Sequence, residues 1–274
     1  MYLSTNNIKS QYLLCYFFDW GDTLMVLLQQ RKIKNKHMDI ASSLAIVTLA
    51  ALIHASFQVS ISVLTLLSGH AIGTKQSHAR LMKLTSSFVG GVGVMTLLAL
   101  SFISLILLHV FGSDAPDIVW AIACGLLVGV GLAVWFFYYR REKGTTLWIP
   151  RSFARYLSNR SKATKHSAEA FGLGLTTVVS ELLFIAAPMI VSALVLLQLP
   201  GYWQLVGIGI YTVVSLLTLV SIWVLIGSGH KLSGIQKWRE ENKHFLQFAA
   251  GGALAVLGFF VYVTKIVSDV TGMM

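Results

Sequence analysis

The sequence predicts an all-α protein, a polytopic membrane helix bundle of six spans built as two inverted three-helix repeats. Three observations predict it. Mean hydropathy is +0.72 with 55% hydrophobic residues, and the apolar residues fall into runs of bilayer length. The positive charge is gathered in three short segments between those runs, as in the cytoplasmic loops of membrane proteins. A pattern of glycine and threonine recurs in the two halves of the chain. The formal net charge of +10 is thereby explained by topology, and a nucleic-acid partner is not expected. Cys15 and Cys124 form neither a CxxC pair nor a metal-ligand spacing, so cysteine chemistry drops out.

Residues 1–37 are expected to be a leader or peripheral arm, or an over-extended reading frame. Tyr12 to Leu28 is apolar, but Asp19 and Asp22 interrupt it and the basic cluster Arg31, Lys32, Lys34, Lys36 follows. No small-residue cleavage site follows, and the charge order is wrong for a secretory signal. Met38 opens MDIASSLAIV, a more typical membrane-protein start.

The first repeat is predicted over 38–139. Span one runs from about Ile40 to Leu67 and carries His54, Gln58 and Ser62 one helical turn apart, on one face. A loop with His70, Lys75, His78, Arg80 and Lys83 leads to span two, about Leu84 to Phe111. An acidic turn with Asp114, Pro116 and Asp117 precedes span three, Ile118 to Tyr139, where Gly125 and Gly129 have the spacing that lets a second helix approach closely. Residues 140–167 form the basic cytoplasmic loop: Arg140, Arg141, Lys143, Arg151, Arg155, Arg160, Lys162 and Lys165 stand against Glu142 alone.

The second repeat, 168–274, begins with span four, Leu173 to Leu199. Span five, about Val206 to Gly227, follows the turn LPGYWQ. A third basic segment with Lys231, Lys237, Arg239 and Lys243 precedes span six, about Phe245 to Val267. Because the basic segments follow spans one, three and five, both ends of the bundle are expected outside the cytoplasm, in the plasma membrane.

Span four holds the candidate functional centre. Glu181 is the one acid inside a predicted span. A charged group in hydrocarbon costs roughly 3 kcal/mol even on lenient scales, so it is expected to face protein or a water-filled cavity. Pro188 deprives the carbonyl of Phe184 of its helical donor, which a membrane helix tolerates where other groups take that carbonyl up. Thr177 and Ser192 share the face, and with His54, Gln58 and Ser62 they complete a candidate path for a solute or ion. Hydroxyls and amides in spans often serve only as glue between helices. Glu181 and His54 are the candidates for binding a metal ion; no cofactor is implied. Lys265 invites a Schiff-base reading, but near the outer end of the last span it is expected to snorkel to the interface.

The repeat itself is read by laying the second half over the first. Gly91-Val-Gly93-Val-Met-Thr96-Leu-Leu-Ala99-Leu100 aligns with Gly207-Ile-Gly209-Ile-Tyr-Thr212-Val-Val-Ser215-Leu216. Leu132-Ala-Val134 matches Leu254-Ala-Val256, and spans one and four pair His54 with Glu181 and Phe57 with Phe184. An odd number of spans per copy forces opposite orientations, an arrangement found in secondary transporters whose site lies near the midplane between repeats.

Six spans as 3+3, a basic segment between the halves, outside termini, and polar residues in the first helix of each half resemble the LysE superfamily of small exporters of amino acids and metal ions. The resemblance covers about residues 38–268. It implies export of a small cation or polar solute, with the site formed by the first helices of the two halves. The amino-acid branch implies a PGP-like motif in the first helix, and the nickel and cobalt branch an acid beside histidines. This chain has HASFQVS and SELLFIAAP at those places, and it lacks the paired cysteines of the thiol-reductant branch.

The expected partners are the lipid bilayer and the transported solute, with a homo-oligomer left open. The competing reading is a non-transporting membrane scaffold whose polar residues only hold helices together. An enzyme ranks third, since one histidine and one glutamate lack a nucleophile or a completed metal set.

Overall fold

The structure, a computed structural model, describes residues 39–56, 63–64, 67, 78–137, 151–228 and 241–267. The expected leader, Gln58 and Ser62 lie outside these residues. Every regular element described is helical: α1 Ile40–Ser56, α2 His78–Phe111, α3 Asp117–Phe137, α4 Arg151–Ala163, α5 Ser167–Leu197, α6 Gly201–Ser215, α7 Leu217–Gly227 and α8 Lys243–Tyr262, which ends in a π-helical turn, Val263–Val267. Four of them (α2, α3, α5, and α8 with its π turn) are long and apolar enough to cross a membrane. α6 and α7 together make a fifth, broken span, and α1 is a shorter apolar helix. Phe102, Phe136, Leu183, Leu205 and Phe259 stand exposed on the outside. An apolar exterior around a helical bundle is compatible with a multi-pass membrane protein.

α5 is the central helix. It packs against α1, α2, α3, α4 and α6, and 61% of its apolar window is buried, against 22% in α2. Its crossing with α2 is backbone against backbone: a Cβ at Gly91 would collide with the Phe171 carbonyl oxygen, and one at Gly174 with that of Phe88. Such a crossing accepts only glycine at the contact.

α3 and α8 form the other close seam. A Cβ at Gly131 would lie 2.7 Å from the Gly251 carbonyl oxygen, and one at Gly258 3.1 Å from that of Cys124. The Trp135 ring stacks on Phe248 with centroids 5.5 Å apart, and its Nε1 donates to the Phe248 carbonyl at 3.0 Å. The expected contact glycines, Gly125 and Gly129, have open space beside them. The buried face of α3 is set by Trp120, Ala123, Cys124, Leu127 and Val134, and Gly131 shares it at helical spacing whereas Gly125 and Gly129 are turned away.

The helix ends sort into two groups. At one, Arg80 Nη2 donates to the Lys165 carbonyl at 3.3 Å, so the starts of α2 and α5 lie together. Met82 meets Gly227 at the end of α7, and Trp223 Nε1 donates to Ser86 Oγ at 3.1 Å. At the other, Lys265 near the end of α8 bonds Gln198 just past α5, and its ammonium lies 5.3 Å from the centroid of the Trp120 ring near the start of α3.

Four expectations are corrected. Span five is not one helix from Val206: it starts at Gly201 directly after Pro200 and breaks at Leu216, its halves bent by 47°. Thr212 and Ser215 hydroxyls donate back to the carbonyls of Ile208 and Thr212, each at 2.9 Å, and back-bonding of this kind bends helices. Span four begins at Ser167, earlier than expected, because Glu169 caps the backbone N–H of Lys165 at 2.9 Å. Within the basic loop, α4 forms and buries Leu157; its charge had masked its helical period. Lys265, expected to reach the interface, lies at that end of the bundle but is covered by protein and 6% exposed.

Candidate functional site

One stripe of α5 faces the interior: Thr177, Glu181, Pro188 and Ser192 recur at helical spacing, and all are buried. The helix continues through Pro188. On α1, His54 is buried at the turn that meets this stripe. His54 Nε2 stands 3.9 Å from Glu181 Oε2, and the two side chains are 0% and 1% exposed. That separation is too long for a direct hydrogen bond and short enough for strong electrostatic coupling in a low-dielectric interior.

A third group joins them. Tyr211 of α6 is fully buried, with its ring tilted 45° against the His54 ring, centroids 5.7 Å apart. Among the described residues, neither ring nitrogen of His54 nor the Tyr211 hydroxyl has a hydrogen-bond partner. Buried polar groups are nearly always satisfied, and exceptions call for a chemical reason. An imidazole, a carboxylate and a phenol converging from three helices can accept, donate or share a proton, or hold a small polar or cationic group.

Of the expected site residues, the structure brings together His54 and Glu181, with Thr177 one turn before the acid. Thr177 spends its hydroxyl on the Leu173 carbonyl at 2.7 Å. Ser192 lies eleven residues beyond Glu181, about 16 Å along the axis at the rise of an α-helix. It belongs to a different level of the bundle, and Pro188 lies between the two. Among the described residues, no third His, Cys, Asp or Glu joins the pair into a metal-binding group, so the pair alone has fewer ligands than a resident metal centre takes.

Tyr211 escaped the sequence reading although the signal was present. It occupies the variable place in the repeated glycine-threonine pattern, where the first half has Met95. Thr96, the threonine of that pattern, is likewise buried with no hydrogen-bond partner among the described residues. Compared with protein-family models, with curated proteins and with solved structures, the chain has no match.

Proposed function

We propose that the chain is a membrane secondary transporter, an exporter of a small cation or polar solute, and that His54 and Glu181 form its ion- or proton-handling site. The observation that carries this reading is the 3.9 Å approach of a buried histidine and a buried glutamate from two separate apolar helices. An ionisable pair inside an apolar bundle is costly to maintain and marks ion or proton paths in membrane proteins.

The inverted repeat is part of the same proposal, and the packing supports it. Exchanging α1 with α5, α2 with α6–α7, and α3 with α8 maps the contacting pairs onto one another: α2–α5 onto α1–α6, and α3–α5 onto α1–α8. The correspondence reaches single residues in part. Gly91 seats against Phe171, while its counterpart Gly207 meets Leu196 of α5 first and has Leu44 of α1 beside it. Phe171 and Leu44 each stand ten residues before the paired Glu181 and His54. The grouping of helix ends is in keeping with alternating directions for five of the six expected spans, α2, α3, α5, α6–α7 and α8. The starts of α2 and α5 share one end with the close of α7, which supports cytoplasmic basic segments on a single face and outside termini. A site between the first helices of the two repeats is where such transporters bind, in keeping with the LysE-like resemblance.

The test is flux in proteoliposomes against a panel of divalent cations and amino acids, with and without an imposed pH gradient. A transporter of this kind moves at least one class and responds to the gradient. Absence of flux for every class, from protein shown to be folded and inserted, would favour the scaffold reading.

A further inference from the structure

We infer that the groove between α4 and the first turns of α5 binds the headgroup of an anionic glycerophospholipid. The inference depends on the chain being in a membrane and not on what it transports. The groove is a cavity of about 430 Å³. One wall is the stripe Tyr156, Arg160 of α4 with Thr164 just past its end, and the other is Ala168, Gly172, Thr176 of α5. Each stripe has the four-residue spacing of one helix face.

The two walls differ in chemistry. The α4 wall carries the Arg160 guanidinium and the half-exposed phenol of Tyr156. The α5 wall includes Gly172, Leu173 and Thr176, which lead into the apolar part of that helix. α4 itself carries Arg151, Arg155, Arg160 and Lys162 with no acid. It buries Leu157, and it joins an apolar helix of membrane-spanning length after three residues. A short basic amphipathic helix in that position lies at the headgroup level.

The one acid in the wall, Glu169, keeps its charge, but its carboxylate is turned to the backbone before α5, and Arg160, Lys162 and Lys165 outnumber it. Its Oε2 accepts the backbone N–H groups of Lys165 and His166 at 2.9 and 3.4 Å. Lys165 follows α4 directly, and Arg80 from α2 is bonded to the Lys165 carbonyl, so more cations flank the groove. A phosphodiester with its glycerol suits both walls of this groove, because the cationic α4 wall attracts the phosphate and the apolar α5 wall accepts the glycerol and acyl esters.

Gly172 offers a clean way to close the groove. A Cβ there would meet nothing within 4 Å, so Gly172→Phe fills the space without a backbone clash. The experiment is native mass spectrometry of the full chain released from detergent. Adducts are compared after incubation with phosphatidylglycerol, with phosphatidylcholine of the same acyl chains, and with inorganic phosphate as competitor. Wild type retains phosphatidylglycerol over phosphatidylcholine. Arg160→Gln lowers that preference about fivefold, the size of one cation-to-headgroup contact, and Gly172→Phe removes it. Circular dichroism confirms that both variants stay folded. Equal retention of the two lipids by wild type, or undiminished preference in both variants, would overturn the lipid site. Displacement by inorganic phosphate would overturn it in favour of a small-anion site.

Discussion

Two buried ionisable clusters in this protein are built differently. At one end of the bundle Lys265 is 6% exposed, but its ammonium bonds the Gln198 amide oxygen and lies over the Trp120 ring. At the centre His54 is fully buried, and among the described residues neither of its ring nitrogens is hydrogen-bonded. The first cluster spends its polar groups on protein, tying the end of α8 to the end of α5 and the start of α3. The second holds Nε2 of His54 at 3.9 Å from Glu181, with neither ring nitrogen hydrogen-bonded among the described residues. Polar burial that is satisfied internally serves cohesion, whereas an ionisable pair set inside apolar helices is the feature on which the proposed site rests.

The largest expected effect tests the central cluster. Glu181→Gln keeps the size and hydrogen bonding of the side chain and removes its ionisation. Flux per folded molecule should fall by about a hundredfold or more, the scale of losing a positioned proton-transfer group. Abundance and thermal stability should hold. Wild-type flux at equal protein in the membrane would show that the central cluster, like the one at Lys265, is only cohesive.

Lys265→Met should give the opposite pattern. It keeps the chain length but loses the amide contact and the cation–π contact, at a cost of about 1–3 kcal/mol. Thermal unfolding in detergent should register this, while flux normalised to folded protein stays near wild type. Lost flux at unchanged stability would erase the contrast between the clusters.

His54→Ala sharpens the comparison within the pair. We expect flux about tenfold lower, because the imidazole stands beside the Glu181 carboxylate and can share a proton with it. Combined with Glu181→Gln it should add little, since two groups acting as a unit are not additive. A double mutant far worse than Glu181→Gln would assign the residues to separate tasks.

The smallest effect is expected at Tyr211. Its hydroxyl has no hydrogen-bond partner among the described residues, so Tyr211→Phe should change stability by less than about 0.5 kcal/mol. A loss of several kcal/mol in chemical denaturation would show that the phenol is part of the scaffold.

The sequence by itself determined which segments are apolar helices, that Glu181 is the one acid set within a predicted span, and that glycines recur in the two halves. Those properties are local. Hydrophobic run length and charge placement are written residue by residue, and the cost of an acid in an apolar run needs no partner to be recognised. Only the tertiary structure decided which face of each helix meets which neighbour. Gly125 and Gly129 had the right spacing for a seam, but α3 turns Gly131 to α8 instead. The span-five break at Leu216 was equally hidden. Ala99 and Ser215 occupy matching places in the repeat, yet α2 runs on through Ala99, while α6 ends where the Ser215 and Thr212 hydroxyls bond back to the helix. Lys265 was placed at an interface by sequence distance along its span, and a partner from a remote segment, Gln198, drew it inside. Tyr211 stood at a marked place in the repeated pattern, but only its contact with the His54 ring of a remote helix made it a site residue. Which rotational face of a helix is buried depends on contacts between segments far apart in the chain, and no local pattern encodes them.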